Sequence, residues 1–167
     1  MRKITLEELQ MNPFLKIQTE KALITVGSQE KFNTMTIGWA TFGILWRKPV
    51  TTVYVRHSRF THMFTEQNDC YAIVFLKPGH EREIGILGTK SGRDMDKMHA
   101  SGLTPVFVDG VTTFEEAAIT IICRKIYQDE ITAEKFLDDG KIMEDCYATG
   151  DMHTVYTGEV LAVYENS

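Results

Sequence analysis

The sequence predicts a mainly β fold with short helices, closed into a small β-barrel. Runs rich in β-branched and aromatic residues recur along the chain, and turn residues bound them. The helical patterns between these runs are short and irregularly spaced. So many strands favour a closed barrel, because closure removes exposed strand edges. The 167 residues are predicted to form a single domain spanning 1–167.

The elements are predicted in the following order. Residues 5–8 have the spacing of a capped helical turn. The continuous apolar run at 70–76 indicates a central strand that is buried on both faces. The predicted strands are 23–27, 33–42, 51–56, 70–76, 114–129 and 155–164. The predicted helices are 58–66, 81–87 and 94–99, with a further helical turn at 132–137.

Charge and cysteine content narrow the function classes. The net charge of −5 and the lack of a long basic run argue against nucleic-acid binding and against attraction to anionic membranes. Cys70, Cys123 and Cys146 are odd in number and form no CxxC pair, so we expect free thiols and neither a disulfide framework nor a metal site. Residues 1–13 lack an apolar signal core, and no run is long enough to span a membrane. We therefore expect a cytoplasmic protein.

The segment 35–43 carries small residues where a large flat ligand could approach the backbone. Met35, Thr36, Gly38 and Trp39 are the candidate wall, since glycine allows close approach and backbone N–H groups can meet the polar edge of a ring. The alternative is an ordinary strand with a glycine at a bulge and Trp39 in the core.

The segment 56–61 suits a phosphate. Arg56 and Arg59 offer forked charged donors at the start of a helix, and Ser58 and Thr61 add hydroxyl donors. The alternatives are helix capping by Ser58 with two solvated arginines, and an Arg56 that points across its strand. A flat ring together with a phosphate indicates flavin mononucleotide (FMN).

Five motifs in order resemble the flavin reductase-like, FMN-binding split-barrel family, in particular its flavoredoxin-like branch. They cover nearly the whole chain, from about residue 23 to residue 164. The resemblance implies a six-stranded Greek-key split barrel, bound FMN and a homodimer. The motifs read NxMTxGW at 33–39, WxKP at 46–49, VRxxRFT at 55–61, SGRDxDK at 91–97, and GDxH at 150–153 with GEV at 158–160.

The resemblance also assigns residues. It places the loop 91–97 by the cofactor, where Ser91, Arg93, Asp94 or Lys97 could reach the ribityl–phosphate end or the partner subunit. Lys48 could lie near the pyrimidine edge of the flavin and stabilise the negative charge that accumulates there on reduction. The resemblance also concerns the last motif. It implies that His153 is a catalytic residue near the flavin or nicotinamide face, although Met152 separates Asp151 from His153 where relatives read Asp-His.

Each assignment has a plainer alternative. Lys48 can be a solvated surface residue, and 91–97 can be a solvated loop in which Asp94 caps a short helix. A lone histidine such as His153 more often has a packing or surface role. No Rossmann, Walker A or nucleophile-elbow motif is present in the sequence.

Three functions remain open at this stage. The first is an FMN-binding oxidoreductase of the flavin reductase type, which transfers hydride or electrons between NAD(P)H and flavin, with NAD(P)H as a transient substrate. The second is a flavoredoxin-like FMN electron carrier that a redox partner protein reduces. The third is a split-barrel protein that has lost its flavin.

Overall fold

Ten strands and five short helices make up most of the computed structural model, which describes residues 1–166. The strands are β1 (Arg2–Ile4), β2 (Ala22–Gly27), β3 (Phe32–Ile37), β4 (Ala40–Leu45), β5 (Lys48–Arg56), β6 (Cys70–Leu76), β7 (Pro105–Val108), β8 (Val111–Phe114), β9 (Ala117–Glu130) and β10 (His153–Glu165). The helices are α1 (Pro13–Leu15), α2 (Phe60–Gln67), α3 (Glu81–Thr89), α4 (Lys97–Ser101) and α5 (Lys141–Tyr147), with a π-helical turn at Lys16–Glu20 and a 3-10 turn at Ala133–Lys135.

Eight of these strands form one antiparallel sheet. Its order is β3-β2-β6-β9-β10-β5-β4, with β1 also paired to β10, and β7 and β8 form a separate hairpin. Within residues 1–166 the end strands β3 and β4 do not pair with each other, so the barrel is open. The predicted β class is therefore confirmed, whereas the closed barrel and the count of six strands are wrong.

The structure also corrects the bounds of two predicted strands. The predicted strand 33–42 is two strands, because the chain leaves β3 after Ile37, bends at Gly38 and Trp39, and enters β4 at the opposite end of the sheet. Apolar and β-branched character continues through the bend, so composition does not reveal it. The predicted strand 114–129 is likewise divided, since a turn at residues 115–116 separates β8 from β9.

The sheet is buried on both faces at its centre. Ile24 and Val26 of β2 belong to one hydrophobic cluster, whereas Leu23 of the same strand belongs to the other. Alternation of this kind follows from the two-residue period of a strand. Strand β6 behaves in the same way, with Ile73 in the first cluster and Val74 in the second, which confirms the prediction of a central strand.

One predicted cap is confirmed, at residues 5–8, and another, at the start of α4, is wrong. The Thr5 N–H donates to Glu8 Oε2 at 2.7 Å and the Glu8 N–H donates to Thr5 Oγ1 at 3.3 Å, the reciprocal bonds of the predicted capped turn. Asp94 does not cap α4 as predicted. Asp96 does so instead, by accepting the N–H groups of residues 98 and 99, because the Asp94 N–H closes an earlier turn onto the Ser91 carbonyl.

The remaining global predictions concern thiols and membranes. Cys70, Cys123 and Cys146 are free, as expected. Burial raises the pKa of the Cys123 thiol to about 12, so this cysteine stays protonated in the core. Within the described residues, no helix is long and apolar enough to cross a membrane, and no cluster of His, Cys, Asp and Glu could hold a metal ion.

Candidate functional site

A cleft lies beside the bend between the two end strands of the open sheet. One wall is the C-terminal end of β3 and the bend that follows it. The other wall comes from the C-terminal end of β5 and the start of β10. The cleft, termed the ring cleft below, has a volume of about 490 Å³ including solvent-open space. Its lining residues are Met35, Thr36, Ile37, Gly38, Trp39, Tyr54, Arg56, Arg59 and His153.

The wall at 36–39 combines a residue without a side chain, Gly38, with the partly exposed ring of Trp39. Thr36 turns its hydroxyl away and donates to the Ile84 carbonyl at 2.6 Å. A Cβ at Gly38 would meet only the end of the Lys21 side chain, at 3.4 Å, so glycine is not sterically required there. Trp39 is 44% exposed, which rules out the alternative that it is a core residue.

His153 and Trp39 form the aromatic end of the ring cleft, and Tyr147, which does not line the cleft, packs against both rings. The His153 ring centroid lies 5.0 Å from that of Trp39 and 5.4 Å from that of Tyr147. Its Nδ1 and the Tyr147 hydroxyl oxygen are 2.9 Å apart. Burial, reinforced by the Arg56 guanidinium, lowers the pKa of His153 to about 4, so its imidazole is neutral near pH 7.

Arg56 holds one edge of the ring cleft in place. Its guanidinium donates to the carbonyl of Asp151 and, at 2.8 Å, to that of Cys146. It also lies 5.2 Å from the ring centroid of Tyr147 and 6.0 Å from that of Trp39. Arg56 therefore lines the ring cleft and holds the segment between α5 and β10 in place. It does not line the second, cationic pocket that adjoins the cleft.

A second pocket adjoins the ring cleft and shares Met35 and Arg59 with it. Four of its lining residues are cationic, namely Arg59, Lys90, Arg93 and Lys97, and only Asp94 is acidic. We call it the anion pocket. Its remaining lining residues are Asn33, Met35, Ser58, Phe60, Thr61, Leu87, Ser91 and Gly92.

Lys97 is the most buried cation of the anion pocket, with only 6% of its surface exposed. Its ammonium donates to the carbonyls of Thr34 at 2.8 Å and Leu87 at 3.1 Å. Burial, followed by the nearby charge of Arg59, lowers the pKa of Lys97 to about 8. Within residues 1–166, no carboxylate lies within 4.0 Å of this ammonium. A buried cation without a paired anion is costly, and a bound anion would offset that cost.

The start of α2 differs from the plain capping alternative. Ser58 does not cap the helix, because its N–H and its hydroxyl both donate to the Asp151 carboxylate, at 3.1 and 2.6 Å. Although burial raises the pKa of Asp151, these bonds bring it below the ordinary value. Thr61 is buried and accepts a hydrogen bond from Asn33 Nδ2 at 2.7 Å, so its own proton can be donated.

The loop that covers the anion pocket depends on Gly92. A Cβ at this position would lie 2.7 Å from Asn33 Oδ1 and 3.0 Å from the Phe60 ring, so only glycine lets the loop approach the floor so closely. Arg93 anchors the same loop by donating to the Ser58 carbonyl at 3.0 Å and by lying over the Phe60 ring. Ser91 supports it by accepting the Arg93 N–H at 3.2 Å.

The predicted site residues thus fall into three groups. Ring-cleft residues are Met35, Thr36, Gly38, Trp39, Arg56, Arg59 and His153, and anion-pocket residues are Ser58, Thr61, Ser91 and Lys97 together with Met35 and Arg59. Lys48 joins neither group. It pairs with Glu159 at 2.6 Å at the far end of β5 from Arg56, about 25 Å away at the usual rise of a strand. Its contact with flavin stays a prediction.

Several residues of the site were not predicted from the sequence, among them Leu87 and Lys90 of the anion pocket, Tyr54 of the ring cleft and Tyr147 beside it. Tyr54 lines the ring cleft because it lies two positions before Arg56 and so shares a face of β5 with it; strand periodicity was a usable signal. Tyr147 ends α5, and no feature of the sequence connects it to His153. Only the fold brings these two rings together.

The fold is that of FMN-binding flavin reductase-like proteins. An FMN-binding protein from Thermus thermophilus, solved with bound 1-cyclohex-2-enone, is 23% identical, with 99% of this chain and 80% of that chain covered and a TM-score of 0.67. Flavoredoxin from Methanosarcina acetivorans is 18% identical over 96% of this chain and 76% of that chain, with a TM-score of 0.70. The NADH:FAD oxidoreductase SgcE6 of Streptomyces globisporus C-1027 is 17% identical over 89% of this chain and 76% of that one, with a TM-score of 0.67.

Residues 14–167 match the model of the family described as flavin reductase like domain, and the chain belongs to this family. The search of curated proteins finds no match. The match to the family model confirms the predicted family. The solved structures, at 17–23% sequence identity, show only that the fold is shared.

The two pockets fit the two ends of FMN. The ring cleft offers backbone and aromatic walls for a flat group, and the adjoining anion pocket offers a buried ammonium that lacks a carboxylate partner among the described residues. Because Gly92 has no Cβ, the covering loop can lie close against Asn33 and Phe60 of the anion pocket.

Proposed function

We propose that this protein is an FMN-binding oxidoreductase of the flavin reductase type, which transfers hydride or electrons between NAD(P)H and flavin. The observation that supports it most directly is the junction of the ring cleft with the anion pocket at Met35 and Arg59. A ligand that fills both must carry a flat ring at one end and an anion at the other, as FMN does.

Different residues of the chain would bind the phosphate and the ring of FMN. Lys97 and Arg59 supply charged donors to the phosphate, and Thr61 supplies a hydroxyl proton beside them. Residues 36–39 offer backbone groups to the polar edge of the ring, and Trp39, His153 and Tyr54 enclose its other borders.

When bound, the flavin supplies the redox chemistry, and the protein positions it and tunes its surroundings. His153 is uncharged near pH 7, so its imidazole can share a hydrogen bond with the flavin edge, whereas a neutral imidazole is too weak an acid to give up a proton there. The exposed side of Trp39 leaves the cleft accessible from solvent, which a transient nicotinamide requires.

The test is an anaerobic visible spectrum of the FMN-loaded protein before and after NADH or NADPH is added. Bleaching of the flavin band within seconds would establish NAD(P)H-dependent reduction. A protein that retains FMN and stays oxidised with both nucleotides would exclude this function. A protein that stays colourless after incubation with FMN would revive the third alternative, a fold that has lost its flavin.

A second candidate is a flavoredoxin-like electron carrier reduced by a partner protein. Likeness to flavoredoxin from Methanosarcina acetivorans and to that of Desulfovibrio vulgaris favours it, and the net charge of −5 suits a basic partner. Bound FMN that stays oxidised with NAD(P)H but is bleached by a reduced ferredoxin would support this candidate.

We also propose a homodimer, in line with the family resemblance. Apolar side chains are exposed along the hairpin that joins β4 to β5 and on the neighbouring β10, including Ile44 at 75%, Trp46 at 56% and Leu161 at 46% exposure. Burial of such groups in an interface would be favourable. Light scattering after gel filtration measures the mass, and a monomer at micromolar concentration would exclude the homodimer.

A further inference from the structure

The backbone of Lys21 has an unusual conformation. Lys21 lies between the π-helical turn Lys16–Glu20 and β2, with φ at 64° and ψ at 174°. This combination of angles is adopted almost only by glycine, because a residue with a Cβ is strained there. Residues that are held in such a conformation in spite of the strain cluster at functional sites. The contacts of the Lys21 side chain are therefore of interest for the chemistry of the ring cleft.

The Lys21 side chain packs against the bend that forms one wall of the ring cleft. Ala22 of β2 pairs with Ile37 of β3, so the preceding residue, Lys21, lies beside the following one, Gly38. The Lys21 Cδ and Nζ atoms are 3.4 and 3.5 Å from the position that a Cβ on Gly38 would take. Gly38 lines the ring cleft, whereas Lys21 does not. The ammonium is thus one residue away from the cleft.

The charge of Lys21 is not cancelled by an ion pair. Among residues 1–166, no carboxylate oxygen lies within 4.0 Å of its ammonium, which donates to the Gln18 carbonyl at 2.9 Å. Glu20 and Glu81 line a pocket together with Lys21. Glu20 pairs with Lys16 at 2.6 Å, and Glu81 accepts a backbone N–H at 3.3 Å. The field of the ammonium therefore reaches the neighbouring bend without a directly paired counter-charge.

A cation at this position would act on the reduced flavin more than on the oxidised flavin. Hydride transfer from NAD(P)H gives the ring two electrons and one proton and leaves NAD(P)⁺. The ring then carries one negative charge until it takes up a second proton, whereas the oxidised ring is neutral. A fixed positive charge stabilises the state in which negative charge develops. Its effect is a higher reduction potential of the bound flavin.

We propose that Lys21 raises the reduction potential of FMN bound in the ring cleft. The proposal rests on the proposed function, in which residues 36–39 meet the polar edge of the ring. Arg56 and Arg59 also line the cleft, but Arg59 belongs to the phosphate end and Arg56 is engaged by two carbonyls at the edge near Tyr147. Lys48, for which the sequence predicted a role of this kind, pairs with Glu159 instead.

The experiment is an anaerobic titration of the FMN-loaded protein with dithionite and reference dyes, which measures the midpoint potential without NAD(P)H. Lys21→Met should bind reduced FMN about tenfold more weakly relative to oxidised FMN, which lowers a two-electron potential by about 30 mV. The dissociation constant of oxidised FMN should stay nearly unchanged. Lys21→Arg retains the charge and should restore most of the potential. Lys48→Met is the matched control and should have the wild-type potential.

A second variant separates the charge of Lys21 from its backbone strain. Glycine adopts these backbone angles without strain, so Lys21→Gly should fold, have a higher free energy of unfolding and still show the lowered potential. A wild-type potential in either Lys21→Met or Lys21→Gly would overturn the proposal. So would an equal decrease in Lys21→Arg and Lys21→Met, since a loss that the charge does not restore is structural.

The outcomes also distinguish this proposal from the proposed function. If the protein binds no FMN, both fail. If FMN binds and NAD(P)H does not reduce it, the flavin reductase function fails, while dithionite still reports the effect of Lys21 on the potential. If NAD(P)H reduces the flavin and Lys48→Met lowers the potential while Lys21→Met does not, the reductase function stands and the assignment to Lys21 is overturned.

Discussion

The ammonium of Lys97 lies 2.8 Å from the carbonyl oxygen of Thr34, which ties the start of α4 to strand β3. Thr34 directly precedes Met35, a residue that lines both the ring cleft and the anion pocket. The buried cation is thus fixed to the strand that builds the ring wall. Its position relative to a bound flavin is set by backbone geometry instead of by a flexible surface chain.

Replacing Lys97 with methionine should weaken FMN binding about tenfold and leave riboflavin binding unchanged, because Lys97 lines the anion pocket and not the ring cleft. Fluorescence titration with the two flavins measures the difference. Lys141→Met, at the start of α5, is a matched control that should change neither constant. An equal loss for both flavins in Lys97→Met would mean that Lys97 acts by supporting the fold.

The pH dependence of FMN binding should report the same residue. Lys97 has a pKa of about 8 in the free protein, so FMN affinity is expected to fall as the pH rises above that value and the ammonium loses its proton. The measurement is the FMN dissociation constant between pH 7 and pH 9. The Lys97→Met protein should lack this decline, and an identical decline in both proteins would assign it to another group.

His153 should make stability sensitive to mild acid. Its pKa in the folded protein is about 4, whereas an unfolded histidine titrates near about 6.5. Between these values the unfolded chain binds more protons, so the free energy of unfolding falls as the pH drops from 6.5 to 4, by up to about 3 kcal/mol. Urea unfolding at pH 7 and pH 4.5 measures it. His153→Gln should lose much of this dependence, and exposed His99→Gln should keep it.

Arg56→Lys should destabilise the protein even though it conserves the charge. Lysine cannot donate simultaneously to the Cys146 and Asp151 carbonyls in the geometry of the guanidinium, and it loses the flat contact with Tyr147. A loss of about 1–3 kcal/mol is expected in the free energy of unfolding. Arg47→Lys, in the exposed turn between β4 and β5, should lie within experimental error of the wild type. Equal stability of the two variants would contradict the holding role of Arg56.

Two glycine substitutions should have opposite effects. In Gly92→Ala the new Cβ would lie 2.7 Å from Asn33 Oδ1, so the loop must move, and both stability and FMN affinity should decrease. Gly85→Ala lies within α3 with no atom within 4 Å of its Cβ, and it should raise the free energy of unfolding by up to about 1 kcal/mol. Thermal unfolding and FMN titration of the pair test this contrast; a Gly92→Ala protein as stable as wild type would show that the loop tolerates the shift.

The sequence predicted the site where its chemistry was local. Arg59, Thr61 and Ser58 lie within four residues of one another at a strand-to-helix junction, so their shared location follows from the chain itself. Their individual partners did not follow. Ser58 binds the carboxylate of Asp151, 93 positions away, and no periodicity in the sequence encodes so distant a contact.

What the sequence determined by itself was the β class, most of the element positions, the family motifs and the residue types suited to a ring and a phosphate. These depend on side-chain period and turn chemistry over a few residues. The tertiary structure decided that the sheet stays open, that Gly38 and Trp39 form a bend beside the cleft, and that Ser58 meets Asp151. It also decided that Lys97 is buried away from carboxylates among residues 1–166 while Lys48 lies elsewhere. Such outcomes depend on which distant strands pair, because pairing sets both burial and the meeting of side chains far apart in the chain.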